Sequence, residues 1–250
     1  MQHGSTGSRG AWAASLRRSV RLLGEFRYEQ PDPERFYTAL AADSVGQLSS
    51  YLDLAGCTVL DVGGGPGYFR DAFEAAGATY WALDADVGEL AGTGAIATGT
   101  VVGDGMNLPF ADGAVDLCYS SNVLEHVREP WRMADEMLRV TRPGGLAFIS
   151  YTVWFGPWGG HETAPWHYLG GRRARRRYLA RHGHEPKNRY GESLFAVTVR
   201  DGLAWARRQH AGEVVDVLPR YHPRWARWLV RVPVLRELLT WNLVIVVRRK

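Results

Sequence analysis

The stretch Val59-Leu60-Asp61-Val62-Gly63-Gly64-Gly65-Pro66-Gly67-Tyr68-Phe69 constrains this chain more than any other. A short apolar run ends in a carboxylate and a valine. A glycine-dense turn follows, and then a segment of helical pattern. Such a strand, turn and helix bring bare backbone and the positive end of a helix dipole to one point, where a nucleotide-like ligand can lie against the main chain. Gly63, Gly65 and Gly67 supply the positions without a Cβ. A dinucleotide-binding loop is spaced Gly-x-Gly-x-x-Gly, and Tyr68 stands where its last glycine would be, which argues against a nicotinamide dehydrogenase.

Further apolar runs end in acids or small polar residues. Tyr80-Trp81-Ala82-Leu83-Asp84 reads as a second strand, and a carboxylate at its end can accept hydrogen bonds from both ribose hydroxyls or cap the next helix. Val101-Val102-Gly103-Asp104-Gly105-Met106 reads as a third strand, where Asp104 can accept from an adenine amine while Met106 packs on the ring. Val115 to Ser120 is a fourth strand. Leu146 to Tyr151 is a fifth, entered through Arg142-Pro143-Gly144-Gly145, a turn signal.

From about Tyr51 to Ser150 the chain resembles the class I S-adenosylmethionine-dependent methyltransferases, of the methyltransferase type 11 family. Beyond the glycine loop, the resemblance is carried by Leu108-Pro109-Phe110-Ala111-Asp112-Gly113, Ser121-Asn122-Val123-Leu124-Glu125-His126-Val127 and Glu136-Met137-Leu138-Arg139-Val140-Thr141-Arg142-Pro143-Gly144-Gly145. The whole chain, including Phe26-Arg27-Tyr28-Glu29-Gln30 and Gly159-Gly160-His161-Glu162, is similar to a group of uncharacterised actinobacterial methyltransferases. The resemblance implies an α/β fold with a Rossmann-like, seven-stranded, mostly parallel sheet, an antiparallel final strand and helices on both faces. It implies S-adenosylmethionine as cofactor and S-adenosylhomocysteine as product. Asp61, Gly63, Gly64, Gly65 and Gly67 would hold the methionine end, with Tyr68 beside them. Asp84 would hold the ribose, and Asp104, Gly105 and Met106 the adenine. Ser121 and Asn122 would border the sulfonium. Some quinone-pathway relatives carry Glu-x-x-Glu-His at this point and bind a divalent metal; Asn122 replaces the first of those acids, so no metal is expected.

A chain of 250 residues suffices for one such domain with additions. Residues 1–10 are expected to be disordered. Residues 11–50 are read as N-terminal helices, roughly 11–24 and 34–52, that either close over the cofactor as a lid lined by Arg27 or Tyr28 or simply dock against the sheet. The cofactor core spans 51–150, an insertion 151–197, and a closing helix with two strands 198–250, interrupted by an amphipathic piece at 222–241. Thr198 and Asp201 form a capping-box pattern. No apolar run is long enough to span a membrane and no signal peptide is evident, so a cytoplasmic location with two reduced, buried cysteines is expected.

Charge divides along the chain. Residues 41–140 carry four arginines against fifteen acids, and the remainder carries 26 basic residues against eleven acids. Seven of ten tryptophans follow residue 150. The additions are therefore basic and aromatic, suited to an anionic or amphipathic small-molecule acceptor. In the insertion, Tyr151, Trp154, Trp158, Trp166 and Tyr168 give an aromatic lining, and Tyr151, Trp154 and His167 are candidate acceptor contacts. Arg172 and Arg173 open a basic run that is either a solvated helix face or a site for phosphate and anionic lipid. Arg224, Arg227 and Arg231 are expected on one helical face, with Trp225, Trp228, Leu229 and Val232 toward the other, a pattern shared by peripheral membrane contact at the inner face and by a cap over a core.

A hydroxyl acceptor needs a base for its proton, and His126, His161, Glu162 and His167 are the candidates, with His161 and Glu162 favoured. His126 can equally serve as a structural hydrogen-bonding group. O-methylation of a small molecule, saccharide or glycolipid near a membrane is the favoured reading. An RNA methyltransferase and a non-catalytic scaffold are the alternatives. Nucleic acid is not the expected partner, since no RNA-binding module and no Asn-Pro-Pro-Tyr pocket is present. The sequence leaves oligomeric state open.

Overall fold

Helices α1 (Leu16–Phe26) and α2 (Pro33–Leu48) precede the sheet in a computed structural model that describes residues 12–28, 31–90 and 98–250. The stretch expected to be disordered, 1–10, lies outside the described residues, as do Glu29 and Gln30. Then follow β1 (Thr58–Val62), α3 (Arg70–Ala75), β2 (Thr79–Asp84), α4 (Val87–Leu90), β3 (Thr100–Val102), β4 (Val115–Ser121), α5 (Pro130–Val140) and β5 (Thr141–Thr152). The chain continues through α6 (Gly171–His182), α7 (Val199–Arg208), β6 (Gly212–Pro219), α8 (Leu235–Leu239) and β7 (Asn242–Arg249).

The strands form one sheet in the order β3-β2-β1-β4-β5-β7-β6, seven strands among the described residues. From β3 to β5 every pair is parallel. β7 runs antiparallel to both β5 and β6, so it alone opposes the rest. This is the mostly parallel sheet with an antiparallel final strand that the sequence led us to expect.

Period-two alternation sends each strand's side chains to two separate cores. Leu60, Val62, Ala147, Ile149, Leu243 and Ile245 pack with Met133 and Met137 of α5 and Trp205 of α7. Val59, Leu117, Tyr119, Phe148, Val244 and Val246 face Leu22 of α1, Phe36 and Leu40 of α2, and Phe73 of α3. Both faces are covered, which parallel strands require.

Local chemistry sets the helix starts. Asp32 accepts the Arg35 N–H ahead of Pro33, and Thr198 and Asp201 form the expected capping box of α7. α2 stops at Leu48, short of the expected 52. β5 begins at Thr141, five residues before the expected start, because an irregularity between Val115 and Leu117 lets the Pro143-Gly144 segment remain in the strand. Arg18 fastens the N-terminal helices. Its Nε and Nη2 donate to Asp43 at 2.7 and 2.5 Å, and its Nη1 donates to the Arg220 carbonyl at 2.9 Å.

The piece between β6 and β7 corrects the expected face assignment. Residues Arg224–Arg231 form a 3-10 helix, whose three residues per turn align Trp225 with Trp228 and Ala226 with Leu229. Ala226 and Leu229 are buried, whereas Trp225 and Trp228 are 69% and 47% exposed. Cys57 and Cys118 are buried free thiols. Among the described residues, no helix is long and apolar enough to cross a membrane.

Candidate active site

The glycine loop leaves β1 at the carboxyl edge of the sheet. Gly63 has φ +80°, and a Cβ there would stand 2.4 Å from a methyl of Val123. Its N–H donates to the Leu83 carbonyl at 2.7 Å, locking the turn onto β2. Gly65 has φ +49° and open space where a side chain would be. The Gly65 N–H donates to Asp84 Oδ2 at 3.1 Å, while Asp84 Oδ1 accepts from the Asp86 N–H at 3.0 Å. Asp84 is thereby bound into the loop at the end of β2. Asp104, exposed just past β3, accepts from the Met106 N–H at 2.8 Å. Bare backbone at Gly65 beside Asp84, with Asp104 just past the end of the neighbouring strand β3, fits an adenosyl cofactor whose ribose and amine groups donate hydrogen bonds.

Asp61 lies beneath this loop, buried, and accepts from Tyr80 Oη at 2.6 Å. Burial pushes its carboxyl up to about 7 against the pull of the Tyr80 hydroxyl, and the nearby Asp84 carboxylate adds to the rise. Tyr68 stacks on Tyr37 of α2, ring centroids 5.2 Å apart, and so joins the loop to the N-terminal helices.

At the exit of β4, Asn122 adopts φ +59° and its Oδ1 accepts from Asn242 Nδ2 at 2.7 Å. Ser121 Oγ accepts from Arg220 Nη1 at 2.6 Å. Arg220 is fully buried and also donates to Ser150, Ser44 and Tyr119. Neither Arg220 nor Asn242 was identifiable as a site-supporting residue from sequence. A lone arginine after a strand-ending Pro219 carries no local signal, and its partners lie far away in the chain.

Beyond β5, a cavity of about 280 Å³ is lined by Phe26, Arg27, Thr152, Trp158, His161, Glu162, Tyr221 and Trp241. It brings the N-terminal helix, the insertion and the closing segment together around His161 and Glu162. Both Glu162 oxygens lie within reach of Asn188 Nδ2, at 3.0 and 3.2 Å. Burial, with the neighbouring His126 and His167, pushes the His161 imidazole down to about 3, so it is neutral. The His126 and His161 rings are 5.1 Å apart, and His126 Nδ1 donates to the Ser193 carbonyl at 2.7 Å.

Three expected acceptor contacts are corrected by burial. Tyr151 is wholly buried in the core and its hydroxyl donates to the Thr198 carbonyl at 2.9 Å. Trp154 is buried against His167 and Tyr190. His167 is buried too, with Nε2 at 3.2 Å from the Gly156 carbonyl. These three hold the insertion on the sheet and offer an acceptor no surface. The cavity wall is made instead by Trp158, which the expected aromatic lining included, together with Tyr221, Trp241 and Arg27.

The basic run forms α6. Arg173, Arg177 and Arg181 line an open groove of about 600 Å³ with Trp166 and Leu169, and Arg177 lies over the Trp166 ring at 3.8 Å. Arg172 is exposed on the same helix. Arg175 differs, since it bridges Glu185 and Glu192 at 2.7 Å each.

Comparison with known proteins agrees with this geometry. A family model described as a methyltransferase domain matches residues 60–149. An uncharacterized methyltransferase of Mycobacterium marinum is 56% identical over 93% of this chain and 94% of its own length. One from Mycolicibacterium vanbaalenii is 57% identical over 94% of this chain and 95% of its own. The solved structure of an S-adenosylmethionine-dependent methyltransferase from Mesorhizobium loti is similar in fold, with a TM-score of 0.56 at 23% identity, covering 84% of this chain and 98% of that one.

Proposed function

The chain belongs to the methyltransferase type 11 family of S-adenosylmethionine-dependent methyltransferases, and from that membership we propose that it methylates a hydroxyl of a small-molecule, saccharide or glycolipid acceptor at a membrane surface. The observation that carries this reading is the 280 Å³ cavity, walled by aromatic rings and furnished with His161 and Glu162.

S-adenosylmethionine, when bound, supplies a methyl group on a positively charged sulfur. In this reading Asp61, Gly63, Gly64, Gly65, Gly67 and Tyr68 hold its methionine end, Asp84 the ribose, and Asp104, Gly105 and Met106 the adenine. Ser121 and Asn122 border the reacting sulfur, and their tethers to Arg220 and Asn242 keep that wall rigid. Rigid positioning and exclusion of water are the chief means by which a protein accelerates such a displacement. Phe26, Trp158, Tyr221 and Trp241 form the dry wall on the acceptor side. Glu162 takes the proton of the acceptor hydroxyl, with Asn188 fixing its carboxylate.

Two features support acceptor capture at an anionic membrane. The groove along α6 sets Arg173 and Arg177 beside Trp166, with Arg172 next to them, a combination suited to a phosphate headgroup. Exposed Trp225, Trp228, Leu235, Leu238 and Leu239 lie among Arg224 and Arg231, and the Arg224 N–H donates to the Ala14 carbonyl, next to α1 with its exposed Leu16, Val20 and Leu23. This is the amphipathic composition of an interfacial surface.

The test is a titration with S-adenosylmethionine followed by a labelled-methyl screen against lipid, saccharide and RNA extracts. Label in an organic-soluble or saccharide product supports the reading. Label in RNA alone, with binding that falls steeply with salt, overturns it.

A further inference from the structure

We infer that Glu125, His126 and His161 form a binding site for a zinc-type divalent cation beside the acceptor cavity. Each offers one ligand atom, and the three atoms lie within 4.8 Å of one another. Two imidazoles and one carboxylate are a donor set that divalent transition metals favour and that leaves a coordination position open.

The second atom of two of these groups is already committed, which leaves the first to point elsewhere. Glu125 Oε1 accepts the Thr152 N–H at 3.0 Å. His126 Nδ1 donates to the Ser193 carbonyl at 2.7 Å, which leaves Nε2 as the ring atom that can serve as a ligand. A carbonyl behind a ligating imidazole is how metal sites fix the tautomer and orientation of their histidines.

Glu125 is 1% exposed, and its Oε2 has no hydrogen-bond partner among the described residues; the buried His161 Nε2 has none either. A buried carboxylate oxygen and a buried imidazole nitrogen without partners are costly in a folded protein. One cation satisfies both. His161 adopts φ +46°, an uncommon conformation for a residue with a Cβ. A tetrahedral zinc ion with bonds of about 2.0–2.2 Å separates its ligand atoms by roughly 3.4 Å. The three atoms, within 4.8 Å of one another, therefore draw together by up to about 1.4 Å on an ion, with the His161 side chain moving while His126 keeps its carbonyl.

Asn122, whose presence argued against a metal from sequence, does not enter this set. The third donor is His161, which arrives from the insertion beyond β5. His161 also lines the 280 Å³ cavity, as does Thr152, which holds the Glu125 carboxylate. The ion's open position therefore suits an oxygen of the acceptor. That last step rests on the acceptor-site reading above; the cation site itself does not.

The experiment is calorimetric titration of Zn²⁺ into chelator-treated full-length protein, repeated with Co²⁺ for its visible absorption. One equivalent should bind, and the Co²⁺ form should show the intense bands of a four- or five-coordinate ion. His161→Gln and Glu125→Gln should weaken Zn²⁺ binding by more than the roughly 10–100-fold that losing an outer partner costs. A His182→Ala/His184→Ala variant removes surface histidines and should bind as the parent does. Absence of binding in the parent, or binding lost with His182 and His184 and kept in His161→Gln, overturns the inference. If Glu125→Gln fails to fold, His161→Gln decides alone. Titration of S-adenosylmethionine into the same zinc-free sample separates the two ideas: cofactor binding without Zn²⁺ binding refutes only the metal site.

Discussion

Arg220 Nη1 donates to Ser121 Oγ at 2.6 Å across 99 residues of sequence. One guanidinium thus joins the segment after β6 to the exit of β4, with Ser150, Ser44 and Tyr119 as its other acceptors.

Replacing Arg220 by Ala removes a fully buried side chain and strands these hydroxyls. A loss of about 3 kcal/mol or more in unfolding free energy is expected from the cavity and the broken hydrogen bonds together. Urea denaturation measures it. A loss below about 1 kcal/mol, the worth of one ordinary hydrogen bond, would mean that the network contributes little.

Gly63→Ala and Gly65→Ala should behave differently. The first forces a methyl against Val123 and should unfold or strongly destabilise the protein. The second places a methyl in open space at the proposed cofactor surface. Gly65→Ala should therefore keep most of the stability and lose S-adenosylmethionine affinity. Equal affinity in Gly65→Ala and the parent, by calorimetry, would remove Gly65 from the cofactor site.

Asp84→Ala should weaken cofactor binding by about 1.5–3 kcal/mol, the range for hydrogen bonds to a charged group. Part of the effect arises because Gly65 loses the acceptor that fixes it. Unchanged affinity would sink the ribose assignment.

Asp61 gives a pH dependence. Its folded-state carboxyl titrates at about 7, well above the ordinary value of 3.8. Between those values the folded protein holds a proton that the unfolded chain has released. The stabilising contribution is therefore full below about pH 4 and disappears as pH rises through about 7. Asp61→Asn should gain melting temperature relative to the parent across that window, with a constant difference above it. Parallel stability curves from pH 4 to 8 would refute the shift.

On α6, changing Arg172, Arg173, Arg176, Arg177 and Arg181 to Gln should reduce binding to anionic vesicles and leave neutral vesicles and cofactor unaffected. Arg175→Gln should not change vesicle binding, because Arg175 already serves Glu185 and Glu192. Retained binding in the five-fold variant would make this helix face a solvated surface.

The readable parts of this molecule are those decided locally. Asp61 and the glycines announce themselves because a turn without side chains must be written in glycine. Thr198 and Asp201 announce themselves because a capping box spans four residues. The aromatic residues of the insertion were harder. Tyr151, Trp154 and His167 are aromatic as Trp158 is, and only tertiary packing decides which of them faces the cavity. Arg142-Pro143-Gly144-Gly145 reads as a turn, yet a strand irregularity admits it into β5. The triad of Glu125, His126 and His161 joins two segments that no spacing rule connects.

β7 lies between β5 and β6, although it is the last strand in the chain. During synthesis, every earlier strand emerges from the ribosome before the strand that joins them. Until residues 242–249 clear the exit tunnel, β6 has no neighbour and β5 shows an open, apolar edge of the kind that recruits other chains. Closure of both edges therefore waits on a single eight-residue strand, and the sheet is complete only when β7 slots between two partners already made.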